Sequence, residues 1–194
     1  MPLLASQLLL SVLLLTCLGS FTWAMRKFFI QPDHMTTGLR VTLVAGFVFA
    51  VMHFAVIFRT SVMVLLFVLV AAVLYCLALV IFWSAIRTNR SKPLSACFAE
   101  NEKLHLVQHG PYKFVRHPFY CSYLLTWLAG AVGTLNVWLG LTFVTMGVLY
   151  LVAAREEEKK FAGSPLAEAY TRYCDSTGRF LPKPWKLIAS RRLQ

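Results

Sequence analysis

The chain alternates long apolar runs with short charged ones. Met1–Met25, Val41–Phe58, Thr60–Ile86 and His117–Ala154 contain no Asp, Glu, Lys or Arg. A bilayer-spanning helix needs about 20 mostly apolar residues. The first three runs therefore predict one span each: Leu3–Trp23, Leu39–Phe58 and Val62–Trp83. The fourth run is long enough for two, and Gly133-Thr134-Leu135-Asn136 in its middle reads as a turn. It predicts a tight helical hairpin, Pro118–Gly133 and Val137–Ala154. The first arm is short, and suits a locally thinned bilayer or packing wholly against protein. Open strands are excluded, because each unpaired backbone group in hydrocarbon costs several kcal/mol. Met1–Met25 has neither a basic n-region nor a small-residue cleavage site, so it reads as a retained helix. The expected fold is all-α, with five transmembrane helices.

Charge sharpens this picture. There are 19 Lys and Arg against 8 Asp and Glu, a formal net charge of +11, yet only 14% of residues are charged and 58% are apolar. In a soluble protein such an excess would point to nucleic acid. Here five spans place every basic residue except Arg59, and all the acidic ones, on one side. The positive-inside rule makes that side cytoplasmic, with the N-terminus outside and the C-terminus cytoplasmic. Trp23, Trp83 and Trp138 fall near span ends, where an interfacial aromatic belt belongs. The excess charge thus reads as topology and membrane-surface chemistry, and no nucleic-acid partner is expected. Residues 1–92 form an N-terminal three-helix scaffold in this reading, and residues 93–194 the functional core.

Cysteine and histidine usage excludes several chemistries. Cys17, Cys76, Cys97, Cys121 and Cys174 contain no C-x-x-C pair, so neither a disulfide framework nor a zinc site is expected. They read as small buried hydrophobes. His105 and His109 stand four apart, but five histidines are too few for a membrane di-iron cluster. No metal is expected. His53, inside a span, reads as a hydrogen-bonded packing residue. Ser122, Thr126, Gly130 and Thr134 form a small-residue stripe, read as the packing seam of the hairpin, with a tunnel for a lipid tail as the alternative.

Three polar segments carry the candidate chemistry. In Leu106–Tyr120, Gly110-Pro111 is a turn pair and Pro118 opens a helix at a position where its missing N–H costs nothing. Arg116 and His117 then sit at a helix N-terminus, where free amides and the dipole favour an anionic group. In Arg155-Glu156-Glu157-Glu158, three adjacent carboxylates lie at a helix C-terminal end, where the dipole disfavours them. Glu156 has an ordinary explanation in pairing with Lys160; Glu157 and Glu158 point to a cationic or polyhydroxyl ligand. In the third segment, Ala167–Tyr173 reads as a short surface helix ended by Thr177-Gly178. Arg179 follows, before a Phe-Leu-Pro stretch able to fold back on the bilayer.

Taken together, Leu106–Tyr112, Arg116–Tyr120, Glu157-Glu158, Tyr170–Tyr173 and Arg179–Pro182 resemble the isoprenylcysteine carboxyl methyltransferase and phospholipid methyltransferase superfamily. The resemblance covers about Pro93–Pro184. It implies an integral membrane methyltransferase using S-adenosylmethionine, with a lipid-like or prenylated substrate. By carry-over, the backbone at Leu106, Val107 and Gly110–Tyr112, with Arg116, His117, Pro118 and Tyr120, would hold the cofactor. Glu157 or Glu158 would take its ribose or amino group, and Tyr170 and Arg179 would close the pocket. Arg155 and Glu158 would be the catalytic pair. The chain departs from the pattern where many members carry an Arg one turn before the paired Glu: Ala153 and Ala154 stand there. A lipid amine or small thiol is the alternative acceptor, and a sterol-reductase-like NADPH enzyme the alternative class.

Overall fold

The computed structural model describes residues 2–30, 36–90, 94–95 and 105–183. Six α-helices follow in order: α1 (Leu3–Lys27), α2 (Thr37–Arg59), α3 (Leu65–Thr88), α4 (Pro118–Thr134), α5 (Val137–Ala162) and α6 (Ala167–Ser176). A two-residue parallel pair, Phe29–Ile30 with Leu94–Ser95, joins the segments that follow α1 and α3. Of the residues read from the sequence, Pro93, Cys97 and residues 184–194 lie outside the described residues.

Four helices, α1, α2, α3 and α5, are long and apolar enough to cross a membrane. At 17 residues α4 falls short of the length expected for a span. Its ends are those the sequence dictates: Pro118 occupies the first helical position after His117, and Leu135 closes the helix with φ 51°. The Asn136 side chain then accepts from the Trp138 N–H at 3.0 Å and starts α5. A side-chain cap also starts α2, where Thr36 Oγ1 accepts from the Leu39 N–H at 3.3 Å.

Several boundaries differ from expectation: α1 runs on to Lys27 rather than Trp23 and α3 to Thr88 rather than Trp83, and two further differences have identifiable reasons. α3 begins at Leu65 rather than Val62, because its capping residue Val64 is extended. α5 runs two turns past Ala154, to Ala162. Charge ends a membrane-compatible run but not a helix, and Glu156 pairs with Lys159 at 2.7 Å along the extension.

The short α4 is the centre of the bundle. Ten of its seventeen residues are buried, and it packs chiefly on α3 and α5. Gly130 lies so close to His53 of α2 and Tyr75 of α3 that a Cβ would overlap the imidazole. Gly133 similarly abuts Leu10 of α1 and Ala71 of α3. At Gly130 the small-residue stripe therefore packs against α2 and α3, where the hairpin reading expects α5. Small residues permit such close approach where lipid supplies no hydrophobic driving force between helices. His53 is fully buried, with Nε2 2.9 Å from Thr142 Oγ1 of α5, which is the packing role expected of it. α2 turns Val44, Phe47, Val48 and Val51 outward, as a lipid-facing helix does. Cys17, Cys76, Cys121 and Cys174 are free thiols.

Candidate active site

The site is assembled around the N-terminal end of α4. A 3₁₀ turn, Gly110–Lys113, docks on the end of α3. Gly110 has φ 60°, and a Cβ there would overlap the Thr88 hydroxyl, so glycine is required both for the turn and for the approach. Asn89 Nδ2 donates to the Ala85 carbonyl at 2.8 Å and to the Tyr112 hydroxyl at 2.9 Å. The Tyr173 hydroxyl donates to the Tyr112 carbonyl at 2.6 Å. α3, the turn and α6 are thereby tied in one chain of hydrogen bonds.

A strap, residues 177–180, then runs beside the segment leading into α4. Val115 and Gly178 form a parallel bridge. The Arg116 N–H donates to the Gly178 carbonyl at 2.8 Å, and the His117 N–H to the Arg179 carbonyl at 3.2 Å. These bonds satisfy backbone groups that lie outside any helix.

The last turns of α5 bring two carboxylates to this point. Glu158 Oε1 accepts from Arg116 Nε at 3.1 Å, His117 Nε2 at 3.1 Å and Arg179 Nε at 3.0 Å. Its Oε2 accepts from Arg179 Nη2 at 2.5 Å. Arg116 Nη1 also donates to the Cys174 and Thr177 carbonyls. Glu157 Oε1 accepts from the Tyr120 hydroxyl at 2.6 Å, while its Oε2 lies 3.4 Å from His117 Nδ1. The His117 and Tyr120 rings are stacked 5.6 Å apart, and Tyr120 stacks in turn on Tyr150 at 5.2 Å.

Protonation follows from this geometry. Burial disfavours the imidazolium of His117, but hydrogen bonds to Glu157 and Glu158 outweigh it and raise the pKa above its ordinary value. Burial also disfavours the Glu158 carboxylate, yet His117, Arg179 and Arg116 together hold its pKa well below the usual range. Glu158 lies beyond the apolar stretch of α5, so the cluster is interfacial.

The structure brings together Arg116, His117, Tyr120, Glu157, Glu158 and Arg179, with Pro118 opening the helix among them. Gly110 and Tyr112 form the adjoining turn. Tyr170 is buried and stacks on Phe161 at 4.5 Å, fixing α6 to the end of α5. Leu106 and Val107 are half-buried in the segment before the turn, and Arg155 is exposed outside the cluster. Asn89 and Tyr150 were not singled out by sequence, and Tyr173 only as the end of a pattern. Asn89 offers a signal, being a polar residue at the end of an apolar helix. Thr177 acts through its carbonyl, which leaves no trace in residue type.

The family model for phospholipid methyltransferase matches residues 66–170, more than half of the chain. The chain belongs to the phospholipid methyltransferase family. The matched stretch runs from α3 into α6 and includes Arg116, His117, Tyr120, Glu157, Glu158 and Tyr170. Among curated proteins none matches the chain. As a phospholipid methyltransferase family member with several membrane-crossing helices, the protein is an integral, multi-pass membrane methyltransferase. Among the described residues no three His, Cys, Asp or Glu side chains are grouped to hold a metal ion.

Proposed function

We propose that the protein transfers a methyl group from S-adenosylmethionine to an amphiphilic acceptor at the cytoplasmic interface, most like protein-S-isoprenylcysteine O-methyltransferase. The observation that carries this reading is the convergence of Arg116, His117 and Arg179 with Glu157 and Glu158 at the polar end of an apolar bundle. The donor set fits the cofactor. A guanidinium of Arg116 or Arg179 suits its carboxylate, and a Glu its ammonium or ribose hydroxyls. A tyrosine face suits its sulfonium. When bound, the cofactor supplies an electrophilic methyl group. The protein's own part is to align the acceptor and exclude water, which needs no nucleophile of its own. The acceptor-side pair implied by the resemblance, Arg155 and Glu158, is not retained in this reading, because Glu158 is engaged by Arg116, His117 and Arg179 while Arg155 is exposed. In this reading α4 is a fifth, short span, residues 1–92 are scaffold, residues 93–194 are the methyltransferase core, and the charged ends face the cytoplasm.

A second acceptor has a specific observation in its favour. Arg155 is exposed, whereas Glu158 is engaged by Arg116, His117 and Arg179. A lipid amine, drawn by Glu157, fits that arrangement. S-adenosylhomocysteine, and not NADPH, is expected to raise the melting temperature of the purified protein. Stabilisation by NADPH alone would return the reductase reading. Labelled methyl should pass into a lipid extract or a synthetic prenylcysteine, and which of the two accepts it separates the readings. Label confined to water-soluble products would exclude an amphiphilic acceptor.

A further inference from the structure

Glu157 and Glu158 are neighbours in sequence but are not chemically equivalent. A carboxylate offers about four acceptor positions. Glu158 already meets four donors, Arg116 Nε, His117 Nε2 and Arg179 Nε on Oε1 and Arg179 Nη2 on Oε2, at 2.5–3.1 Å, which leaves at most one position on Oε2. Its side chain is 13% exposed. Glu157 is 30% exposed, with one oxygen on the Tyr120 hydroxyl and the other 3.4 Å from His117 Nδ1. Successive helical residues are turned about 100° apart. Glu158 thus looks toward the strap and Glu157 toward the tyrosines.

The partners of Glu158 also come from separate pieces of chain. Arg116 and His117 precede α4, Arg179 belongs to the strap, and Arg116 reaches on to carbonyls at the end of α6. Without this carboxylate, the two guanidiniums of Arg116 and Arg179 would lose their shared counter-charge beside the His117 imidazole. We infer that Glu158 is a positioning residue that clamps the strap onto the start of α4, and that Glu157 is the carboxylate that binds the cationic or hydroxyl group of the ligand. This rests on the proposed binding of S-adenosylmethionine.

Hydrogen exchange in detergent micelles tests the division, with S-adenosylhomocysteine as the probe ligand. The Arg116 and His117 amides, bonded to strap carbonyls, report whether the strap is closed. Glu157→Gln should weaken the probe at least ten-fold while these amides stay protected in the unliganded protein. Glu158→Gln should lose their protection before any ligand is added. Should Glu158→Gln not fold, Arg179→Gln carries the same test, since Glu158 then keeps Arg116 and His117. It should also reduce that protection. Unaltered protection in Glu158→Gln or Arg179→Gln would overturn the clamp, and unaltered affinity in Glu157→Gln would overturn the ligand role. A wild-type protein that does not bind the probe would instead refute the cofactor reading, leaving the exchange result for the clamp intact.

Discussion

Two polar regions of this molecule use opposite means. Around His53, within the bundle, the polar groups are neutral: the imidazole meets Thr142, and Thr126 and Thr134 return their hydroxyls to the Ser122 and Gly130 carbonyls. Around Glu158, at the end of the bundle, the groups are charged and drawn from distant segments. Neutral hydrogen bonds in a membrane interior contribute only about 0.6 kcal/mol each. A partly buried ion pair that loses one partner costs several times more. The interior polarity therefore tunes helix packing, while the interfacial charges decide whether a site exists.

The comparison can be broken at several points. The largest effect is expected for Glu158→Gln, which removes the shared counter-charge of Arg116 and Arg179 and should destabilise the protein by about 3 kcal/mol in a detergent melting assay. Gly130→Ala should follow, at about 2 kcal/mol, because the new methyl meets the buried His53 ring. A neutral result there would show that the α2–α4 contact can relax. His53→Phe, read by the same assay, should cost about 1 kcal/mol or less, the scale of one neutral hydrogen bond in a bilayer. Glu156→Ala should shift stability by no more than about 0.5 kcal/mol, its partner Lys159 being solvent-exposed.

The interfacial cluster should also give stability a pH dependence. The His117 pKa is raised on folding, so its contribution is complete below the ordinary 6.5 and is lost as pH rises through the folded value. The Glu158 pKa is depressed, so its contribution is complete above the ordinary 4.5 and is lost as pH falls through the folded value. Melting temperatures across pH should show both limbs, and His117→Asn should flatten the alkaline one.

Sequence made the helices legible because apolar run length is a one-dimensional property. It placed α1, α2 and both arms of the hairpin, and found Pro118 at the start of α4. It also collected Arg116, His117, Tyr120, Glu157, Glu158 and Arg179, since a family pattern preserves residue types in order. It did not show which groups meet. That Glu158 takes Arg116, His117 and Arg179 together, that Gly130 faces His53, or that the strap pairs with residues 115–117 depends on how helices are rotated and where loops return. The end of α5 was missed because charge limits a membrane run without breaking a helix.

The bridge between Val115 and Gly178 bears on how the protein is made. Its two sides are separated by the whole of α4, α5 and α6. During synthesis, all the long helices can enter the bilayer before the strap has left the ribosome. Assembly of the charged cluster therefore follows entry of the long helices, and a chain stopped before residue 177 would lack the Gly178 and Arg179 partners of Arg116, His117 and Glu158.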